Sequence, residues 1–327
     1  MAILWCGGED IDFPNGSAVS ITTTGTYFRS AYSRCAICAN SEGTTSKSKP
    51  FSGGAVTSAW LSSQIYHVSP GYDVTCGIGL GLSTLNSGLF FGATKGGYAT
   101  IYKRNDVTET LLATSSSLVF GADTTVKKVD FHVSGYGATA TVNVYIAGVL
   151  AVTYTGDVTV TGMTNFDSVY ISRQHNLGIF QCSEIAVSST DTRNMIGLKT
   201  LAPTADGTTT DWTGDYSAVD EITISDADVD YSDTNAQDQE FAISDLPAGT
   251  FTIPACKIAV RTTKSEDASI GNIALGWLSG TVAVGSNQAL TTAWATYEEL
   301  DTVNPVTSNP WLQSEMNDLQ INLRSAT

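Results

Sequence analysis

Apolar residues at every second position mark two neighbouring segments near the middle of the chain. Lys127–Ser134 (KKVDFHVS) and Ala140–Ile146 (ATVNVYI) both place them between polar or titratable neighbours. Gly148 follows, and residues 149–154 then read as a returning strand. Because side chains of a β-strand point alternately to its two faces, one apolar row and one polar row indicate a sheet buried on one side. The region therefore predicts antiparallel strands, the last two joined as a hairpin.

The rest of the chain has the same character. Charged residues make up only 15% of the 327 residues and glycines number 30, a composition typical of an all-β protein rich in turns. One short helix is predicted at residues 310–318. The other predicted strands are 17–23, 27–39, 55–68, 75–82, 88–93, 98–103, 110–113, 168–173, 180–187, 221–225, 239–242, 255–263, 270–279, 296–299 and 319–323. We expect an all-β fold of two tandem antiparallel β-sandwich (jelly-roll-like) domains.

The acidic residues are concentrated at one end of the chain. Residues 1–200 carry 12 Lys+Arg against 13 Asp+Glu, a net charge of −1, whereas residues 201–327 carry 4 against 19, a net charge of −15. A step of this size predicts two domains with different surfaces, 1–200 and 201–327. The negative charge argues against nucleic acid as a partner, since contacts to phosphates need clustered Lys and Arg.

The cysteines and the first residues indicate the cellular compartment in which the protein is expected. No apolar run approaches the ~18 residues of a membrane helix, which argues against membrane insertion, and the first residues lack the basic and apolar regions of a signal peptide. In a reducing cytoplasm we expect reduced, buried thiols, with disulfides as the open alternative. The pair at 35 and 38 is a lone CxxC, a weak signal for zinc or redox chemistry. The six cysteines are Cys6, Cys35, Cys38, Cys76, Cys182 and Cys256.

Several segments of the first half resemble a concanavalin-A-like (laminin-G-like) jelly-roll sandwich. They are KVDFHVS, VNVYIAGVLAVTY, SVYIS and FQCSEIAVSSTDTRNMIGLKTLAP. The last segment also resembles the closing strand and tail of structural proteins of tailed bacteriophages, in which a Ser-Glu-(Ile/Val)-x-Val strand leads to DTR and a short LxTLxP exit. The opening LWCGGEDIDF is similar to the start of such proteins. The first domain is therefore expected to be a concanavalin-A-like β-sandwich.

The second half resembles a β-sandwich found in phage tail and virion proteins. The segments that carry this resemblance are IPACKIAVRTTKSEDASIGNIALGWLSG and NPVTSNPWLQSEMNDLQINL. The resemblance implies a non-enzymatic structural component of a phage particle, tail-associated or capsid-decorating, assembled in the host cytoplasm and located in the virion. Its expected partners are other virion proteins and further copies of itself. The alternative is a carbohydrate-binding adhesin that recognises host-surface glycans.

Two acidic stretches are candidate sites. Glu299-Leu300-Asp301 is the closest match to the paired carboxylates of retaining glycosidases, but Asn304 stands where the second Glu is needed. Residues 226–230 (DADVD) suggest calcium, but an EF-hand loop starting at Asp226 would have Tyr231 and Gln237 at its glycine and bidentate-acid positions. A solvated acidic loop or edge strand is the plainer interpretation. We therefore expect no catalytic, cofactor-binding or metal-binding residues and no cofactor.

Histidines, glycines and aromatic residues offer the remaining candidates. His67, His132 and His175 are scattered and form no HxH or HExxH motif. Residues 77–82 (GIGLGL) resemble half a phosphate loop but lack a following helix. Aromatic residues in strands usually pack in the core, although some could stack on sugar rings. Those of the first half are Tyr27, Tyr32, Trp60, Tyr66, Tyr72, Tyr98, Tyr102 and Tyr136.

Overall fold

The chain forms two compact units. The structure is a computed structural model that describes residues 2–13, 19–23, 28, 32, 34–39, 46–68, 74–85, 87–106, 108–121, 125–172, 179–195, 197–221, 223–266 and 269–327. Unit 1 is Met1–Leu198 and unit 2 is Lys199–Thr327. Each has its own sheets and its own hydrophobic core. Within the described ranges, no helix is long and apolar enough to span a membrane.

Unit 1 is built from antiparallel strands in two sheets. The strands are β1 (Ile3–Gly7), β2 (Val19–Thr23), β3 (Cys35–Ala39), β4 (Ser46–Pro50), β5 (Ala59–Val68), β6 (Val74–Gly81), β7 (Gly88–Ala93), β8 (Ala99–Asn105), β9 (Thr108–Thr114), β10 (Lys127–Ser134), β11 (Ala140–Ile146), β12 (Val149–Gly156), β13 (Ser168–Ser172) and β14 (Ile179–Ser188). Sheet one has the order β12-β11-β10-β5-β14-β3-β2, with β1 also paired to β14. Sheet two has the order β4-β13-β6-β7-β8-β9.

The alternating segments form the antiparallel ladder that their pattern predicts. In it, β10 pairs with β11 and β11 with β12. Ala147 and Gly148 connect the last two strands, both with positive φ (49° and 82°), as a two-residue hairpin turn requires. The all-β expectation is confirmed.

The core of unit 1 lies between its two sheets. Sheet one contributes the inward row of the alternating strands, and sheet two contributes the buried residues of β6, β7 and β8. Fully buried members include Leu61, Ile78, Phe91, Ile101, Phe131 and Val144. Because these large apolar side chains come from strands far apart in sequence, the core forms only when both sheets come together.

The first and last strands of unit 1 are neighbours. β1 pairs antiparallel with β14, from Ile3 opposite Ser188 to Gly7 opposite Ile185. All five residues of β1 are buried. β14 is also bonded to β5, and a register shift between Ser183 and Ala186 surrounds Glu184, which has a positive φ of 52°. This bulge lets one strand accommodate partners on both sides.

The glycine-rich segment at 77–82 is almost entirely strand β6, and its glycines make room for aromatic rings. A Cβ added to Gly77 would lie 2.5–2.8 Å from ring carbons of Phe180, and one added to Gly81 would lie 2.7–2.8 Å from the ring of Tyr170. A Cβ on Gly79 would collide with the Leu89 carbonyl oxygen of β7. The spacing that resembled a phosphate loop is therefore explained by packing.

Unit 2 has one six-stranded sheet and one two-stranded ladder. Its strands are β15 (Pro203–Thr210), β16 (Asp238–Ile243), β17 (Cys256–Thr262), β18 (Asn272–Ser279), β19 (Thr281–Val284), β20 (Gln288–Ala289), β21 (Ala295–Asp301) and β22 (Gln320–Ala326). Sheet three has the order β15-β16-β22-β18-β19, with β20 on β18, and β17 pairs with β21. Phe241, Ile258, Leu275 and Leu323 form its core with Trp277 and Trp311.

Two predictions in unit 2 need correction. The strand predicted at 221–225 is wrong, because the described residues 221 and 223–225 form no ladder. They lie between a 3₁₀ turn at Tyr216–Ala218 and Asp226, which is bonded to Arg261. Their alternating sequence predicted a strand, but no neighbouring strand pairs with the described residues. The helix predicted at 310–318 is shortened to α1 (Gln313–Met316), with Met316 buried.

Replacing Gly77 with alanine tests the packing role of the β6 glycines. We expect Gly77→Ala to lower the free energy of unfolding by about 1–3 kcal/mol, because the new methyl overlaps the buried Phe180 ring. Gly271→Ala is the matched control, since a Cβ there meets no atom within 4 Å. Urea unfolding followed by circular dichroism measures both. Equal stability of the two variants would contradict the packing explanation.

Candidate functional site

An aromatic row crosses the face of sheet one that points away from the core. Trp60, His132 and Tyr145 belong to β5, β10 and β11, and each alternates with core residues of its own strand. His132 lies directly opposite Trp60 in the ladder. Their rings are stacked, with centroids 4.0 Å apart and an interplanar angle of 12°. The Tyr145 ring lies 5.6 Å from Trp60 at 24°. We call these three side chains the aromatic row.

The tail after β14 crosses this row. The Arg193 guanidinium carbon lies 4.6 Å from the centre of the Tyr145 ring and 5.4 Å from that of Trp60, distances at which a cation is attracted to an aromatic face. Arg193 Nε also donates to both carboxylate oxygens of Asp191, at 3.0 and 2.9 Å. The hydrogen bonds from Arg193 hold the pKa of Asp191 below its usual value. The Asp191–Arg193 pair thus borders the row with one anion and one cation.

A buried carboxylate anchors the tail to the sheet. Asp130 is fully buried on β10, and its Oδ1 accepts a hydrogen bond of 2.8 Å from the Thr192 hydroxyl. Lys128 Nζ donates to both Asp130 oxygens at 3.0 Å and to the main-chain oxygens of Thr192 and Arg193. Charge-assisted hydrogen bonds of this kind are among the stronger ones in proteins. They fix the backbone that places Arg193 over the row.

The surroundings of His132 favour its neutral form. Burial lowers the pKa of His132, Asp191 raises it in part, and Arg193 lowers it further. Leu150 on β12 stands opposite Tyr145 in the ladder and is 51% exposed. The aromatic row and Leu150 offer apolar contacts, and the adjacent ion pair offers hydrogen bonds. Together these are the interactions that a binding surface uses.

The carboxylates considered for glycoside hydrolysis lie on β21 and face inward with Tyr297. Asp301 accepts a hydrogen bond of 2.6 Å from Trp277 Nε1, and its main-chain oxygen accepts one of 2.9 Å from Trp311 Nε1. Burial raises the pKa of Glu299, and the nearby Asp301 adds to the shift. Asp301 thus joins two tryptophans of the unit 2 core. Asn304 is buried in the following turn, where its side-chain oxygen accepts from Val306 N.

The aspartates at 226–230 lie in a loop. Asp226 forms a two-pronged ion pair with Arg261, with distances of 2.7 and 2.8 Å. Asp230 is half-buried, and burial, with Asp206 and Asp215 nearby, raises its pKa to about 6. Within the described ranges, no group of three or more His, Cys, Asp or Glu is arranged to hold a metal ion. Residues 226–230 belong to no strand, so this segment is a loop and not an edge strand.

The other predicted candidates separate into core and outer positions. Tyr66 and Tyr102 are buried, and Tyr136 packs edge-on against Phe166. Trp60 belongs to the aromatic row. Tyr27, Tyr72 and His175 lie outside the described residues. Cys6, Cys182 and Cys256 are buried, and Cys35, Cys38 and Cys76 lie in β3 and β6.

Tyr145 and Arg193 were not among the candidates from sequence. The alternation of β11 could have identified Tyr145 as outward-facing, because it lies between the core residues Val144 and Ile146. Arg193 carries no such signal. Its position depends on contacts with residues more than 45 positions away in the chain.

Comparisons with known proteins give distant similarities of fold. No protein-family model matches the chain, and no curated protein sequence matches it. Similar solved structures include the carbohydrate-binding module CBM66 from Bacillus subtilis, with 11% identity, a TM-score of 0.33 and coverage of 54% of this chain and 98% of that one. The globular domain of T. cruzi calreticulin has 14% identity, a TM-score of 0.37 and coverage of 58% and 89%. A homodimeric agglutinin from chicken liver has 11% identity, a TM-score of 0.31 and coverage of 44% and 100%. Values of this size carry no information about function.

The buried His67 should make stability depend on pH. It is 2% exposed, neither ring nitrogen has a hydrogen-bond partner among the residues that the structure describes, and burial lowers its pKa from 6.5 to about 4. Below pH ~6.5 His67 is therefore protonated in the unfolded chain but stays neutral in the folded one until the pH approaches 4. We expect this to lower the free energy of unfolding by about 3 kcal/mol at pH 4, since each unit of pKa shift corresponds to ~1.4 kcal/mol.

His67→Leu isolates this effect, since it removes the titrating ring and keeps an apolar side chain. The difference in unfolding free energy between the protein and the variant should shift in favour of His67→Leu as the pH falls from 7 to 4. Urea unfolding at each pH measures it. Parallel pH profiles for the two proteins would show that His67 is protonated in the folded state.

Proposed function

We propose that this protein is a non-enzymatic structural component of a tailed-bacteriophage particle, tail-associated or capsid-decorating, that acts through protein–protein contacts. It would be assembled in the host cytoplasm and located in the virion. The observation that supports the proposal is the way the phage-like segments of the first half meet in space. The opening LWCGGEDIDF and the closing FQCSEIAVSSTDTR come from opposite ends of unit 1 and form one connected frame.

The frame begins with a strand pair and continues on both sides. β1 carries the opening segment and lies beside β14, which carries the closing one. After β1, the main-chain amides of Gly8 and Glu9 donate to Asp12 at 2.8 and 3.1 Å, which shapes the buried turn. After β14, Thr192 is bonded to Asp130. The segments that resemble those of phage proteins thus serve the architecture of the unit, as we expect of a building part.

The acidic surface of unit 2 suits a role among other proteins. Three of the four basic side chains of residues 201–327 form ion pairs within the unit: Lys257 with Glu298, Arg261 with Asp226, and Arg324 with Asp238. Most of the 19 carboxylates of residues 201–327 therefore have no cation of the same unit to neutralise them. Such a surface would face solvent or dock on a basic partner.

The particle role predicts that the protein remains with purified virions. Phage particles banded on a density gradient should contain the full chain in a fixed copy number, measured by quantitative mass spectrometry against the major capsid protein. Soluble host proteins of similar abundance serve as the control for carry-over. Loss of the chain from banded particles, or a copy number that varies between preparations, would refute the structural role.

A second candidate is a carbohydrate-binding adhesin, and the aromatic row favours it. Trp60 and Tyr145 lie on the outer face of sheet one, beside the polar pair Asp191 and Arg193. Aromatic faces stack on the C–H faces of sugar rings, and adjacent charged groups bond hydroxyls or carboxylates. Because the Arg193 side chain lies over the rings, a glycan bound at this row would either displace that side chain or form hydrogen bonds with it.

Glycan binding is tested with the full chain on an array of host-surface polysaccharides. If the row is the site, Trp60→Ala and Tyr145→Ala should each weaken binding at least ~10-fold, as loss of a stacking partner worth about 1.4 kcal/mol would. Trp294→Ala is the control, because Trp294 also lies near an arginine, Arg261, but belongs to unit 2. Binding that is absent, or equally retained in all three variants, excludes the row as a glycan site.

A further inference from the structure

β12 is an edge strand with open main-chain hydrogen-bonding groups. It ends the order of sheet one and spans Val149–Gly156, with β11 as its only ladder partner in the part of the chain that the structure describes. No main-chain bond outside that ladder involves residues 149–156 within the same described ranges. One side of β12 therefore presents the N–H and C=O groups that another strand needs for pairing.

The sequence of β12 lacks two of the features that normally prevent such pairing. Its residues, VLAVTYTG, include no charged residue and no proline. Edge strand β4 of sheet two, by contrast, contains Lys47, Lys49 and Pro50, and edge strand β9 contains Glu109. Charged residues and proline on an edge oppose the addition of a further strand. Both edges of sheet two thus carry charged residues, whereas β12 has neither a charge nor a proline and is interrupted only by the register shift between Leu150 and Val152.

The side chains of β12 would also gain from being covered. Val149 is 70% exposed and Leu150 51%, and they are two of the large aliphatic residues that unit 1 leaves most exposed. Thr153 and Thr155, farther along the strand, already bond across to β11, Thr153 to Asn143 at 2.7 Å and Thr155 to Thr141 at 3.4 Å. β-Branched and aliphatic residues are those that stabilise cross-strand pairs.

We propose that β12 pairs antiparallel with β12 of a second copy of this chain, so that sheet one continues across a two-fold axis. Antiparallel pairing of a strand with itself is self-complementary, because each copy offers the same groups in reverse order. A two-fold axis near the middle of the strand sets the aliphatic end of each β12 beside the threonine-rich end of the other.

Charge favours a second copy over a different partner. Residues 1–200 carry a net charge of only −1 and the strand itself carries none, so two unit 1 surfaces approach without strong repulsion. A basic partner would be drawn to the −15 of residues 201–327 instead. The self-pairing does not require the virion role, and the two proposals can fail separately, since one is judged by the dimer in solution and the other by particle composition.

Sedimentation velocity of the full chain tests the pairing. The protein should show a dimer whose fraction rises with concentration up to ~100 µM, the range that a Kd of ~10 µM would populate. Thr153→Lys brings two like charges together near the two-fold axis, and Leu150→Lys puts a charge in place of an aliphatic side chain that the second copy would cover, so each should weaken dimerisation at least ~10-fold. Leu118→Lys is the matched control, because Leu118 is 60% exposed but lies outside β12, and it should dimerise like the unaltered protein.

Hydrogen exchange identifies the strand directly. The amides of residues 149–156 should gain protection as the protein concentration rises, and they should not do so in Leu150→Lys. Unchanged circular dichroism confirms that both lysine variants are folded, as expected for exposed positions. A monomer at ~100 µM, a dimer that survives both substitutions, or a dimer in which the β12 amides stay unprotected would each overturn the proposal.

Discussion

The pairing of β1 with β14 is the contact on which unit 1 depends. It joins residues more than 175 positions apart, and β14 in turn lies between β5 and β3 in sheet one. β14 therefore cannot take its place until the chain of the whole unit has been made and folded back. Such distant pairing costs loop-closure entropy before it contributes stability, so we expect unit 1 to fold slowly compared with helical domains of its size. The same closure carries the tail onto the outer face, where Asp130 holds Thr192.

The parts of the fold that were predictable are those with one face buried. β10 and β11 alternate because the inward row meets sheet two and the outward row meets solvent or the tail. β1 gave no such pattern, since all its residues are buried. β15 has no large apolar residue in its sequence PTADGTTT, and it was missed for that reason. The sequence of residues 221–225 alternates, but the described residues 221 and 223–225 form no ladder, because a ladder needs a neighbouring strand that the local pattern cannot supply.

The candidate site was less predictable than the fold, for a related reason. Trp60 was recognisable as an aromatic residue, but which rings face outward depends on the register of β5 with β10. Arg193 reaches the row only because Lys128 and Asp130 hold the main chain of the tail. The glycines of β6 were misleading in the opposite direction, because their spacing suggested phosphate binding while each of Gly77 and Gly81 makes room for a ring.

The uneven distribution of charge limits where this protein can associate with itself. Two copies that met through unit 2 would bring together surfaces in which carboxylates far outnumber cations, and the repulsion would weaken such a contact at low ionic strength. Unit 1 has nearly balanced charge, and its edge strand β12 carries neither a charge nor a proline; β2 (VSITT), at the other end of sheet one, carries none either. Edges β4 and β9 do carry such residues, so both edges of sheet two oppose the addition of a further strand. Association through β12 would leave the acidic unit available to a basic partner, and raising the salt concentration should then weaken binding of that partner more than the β12 contact.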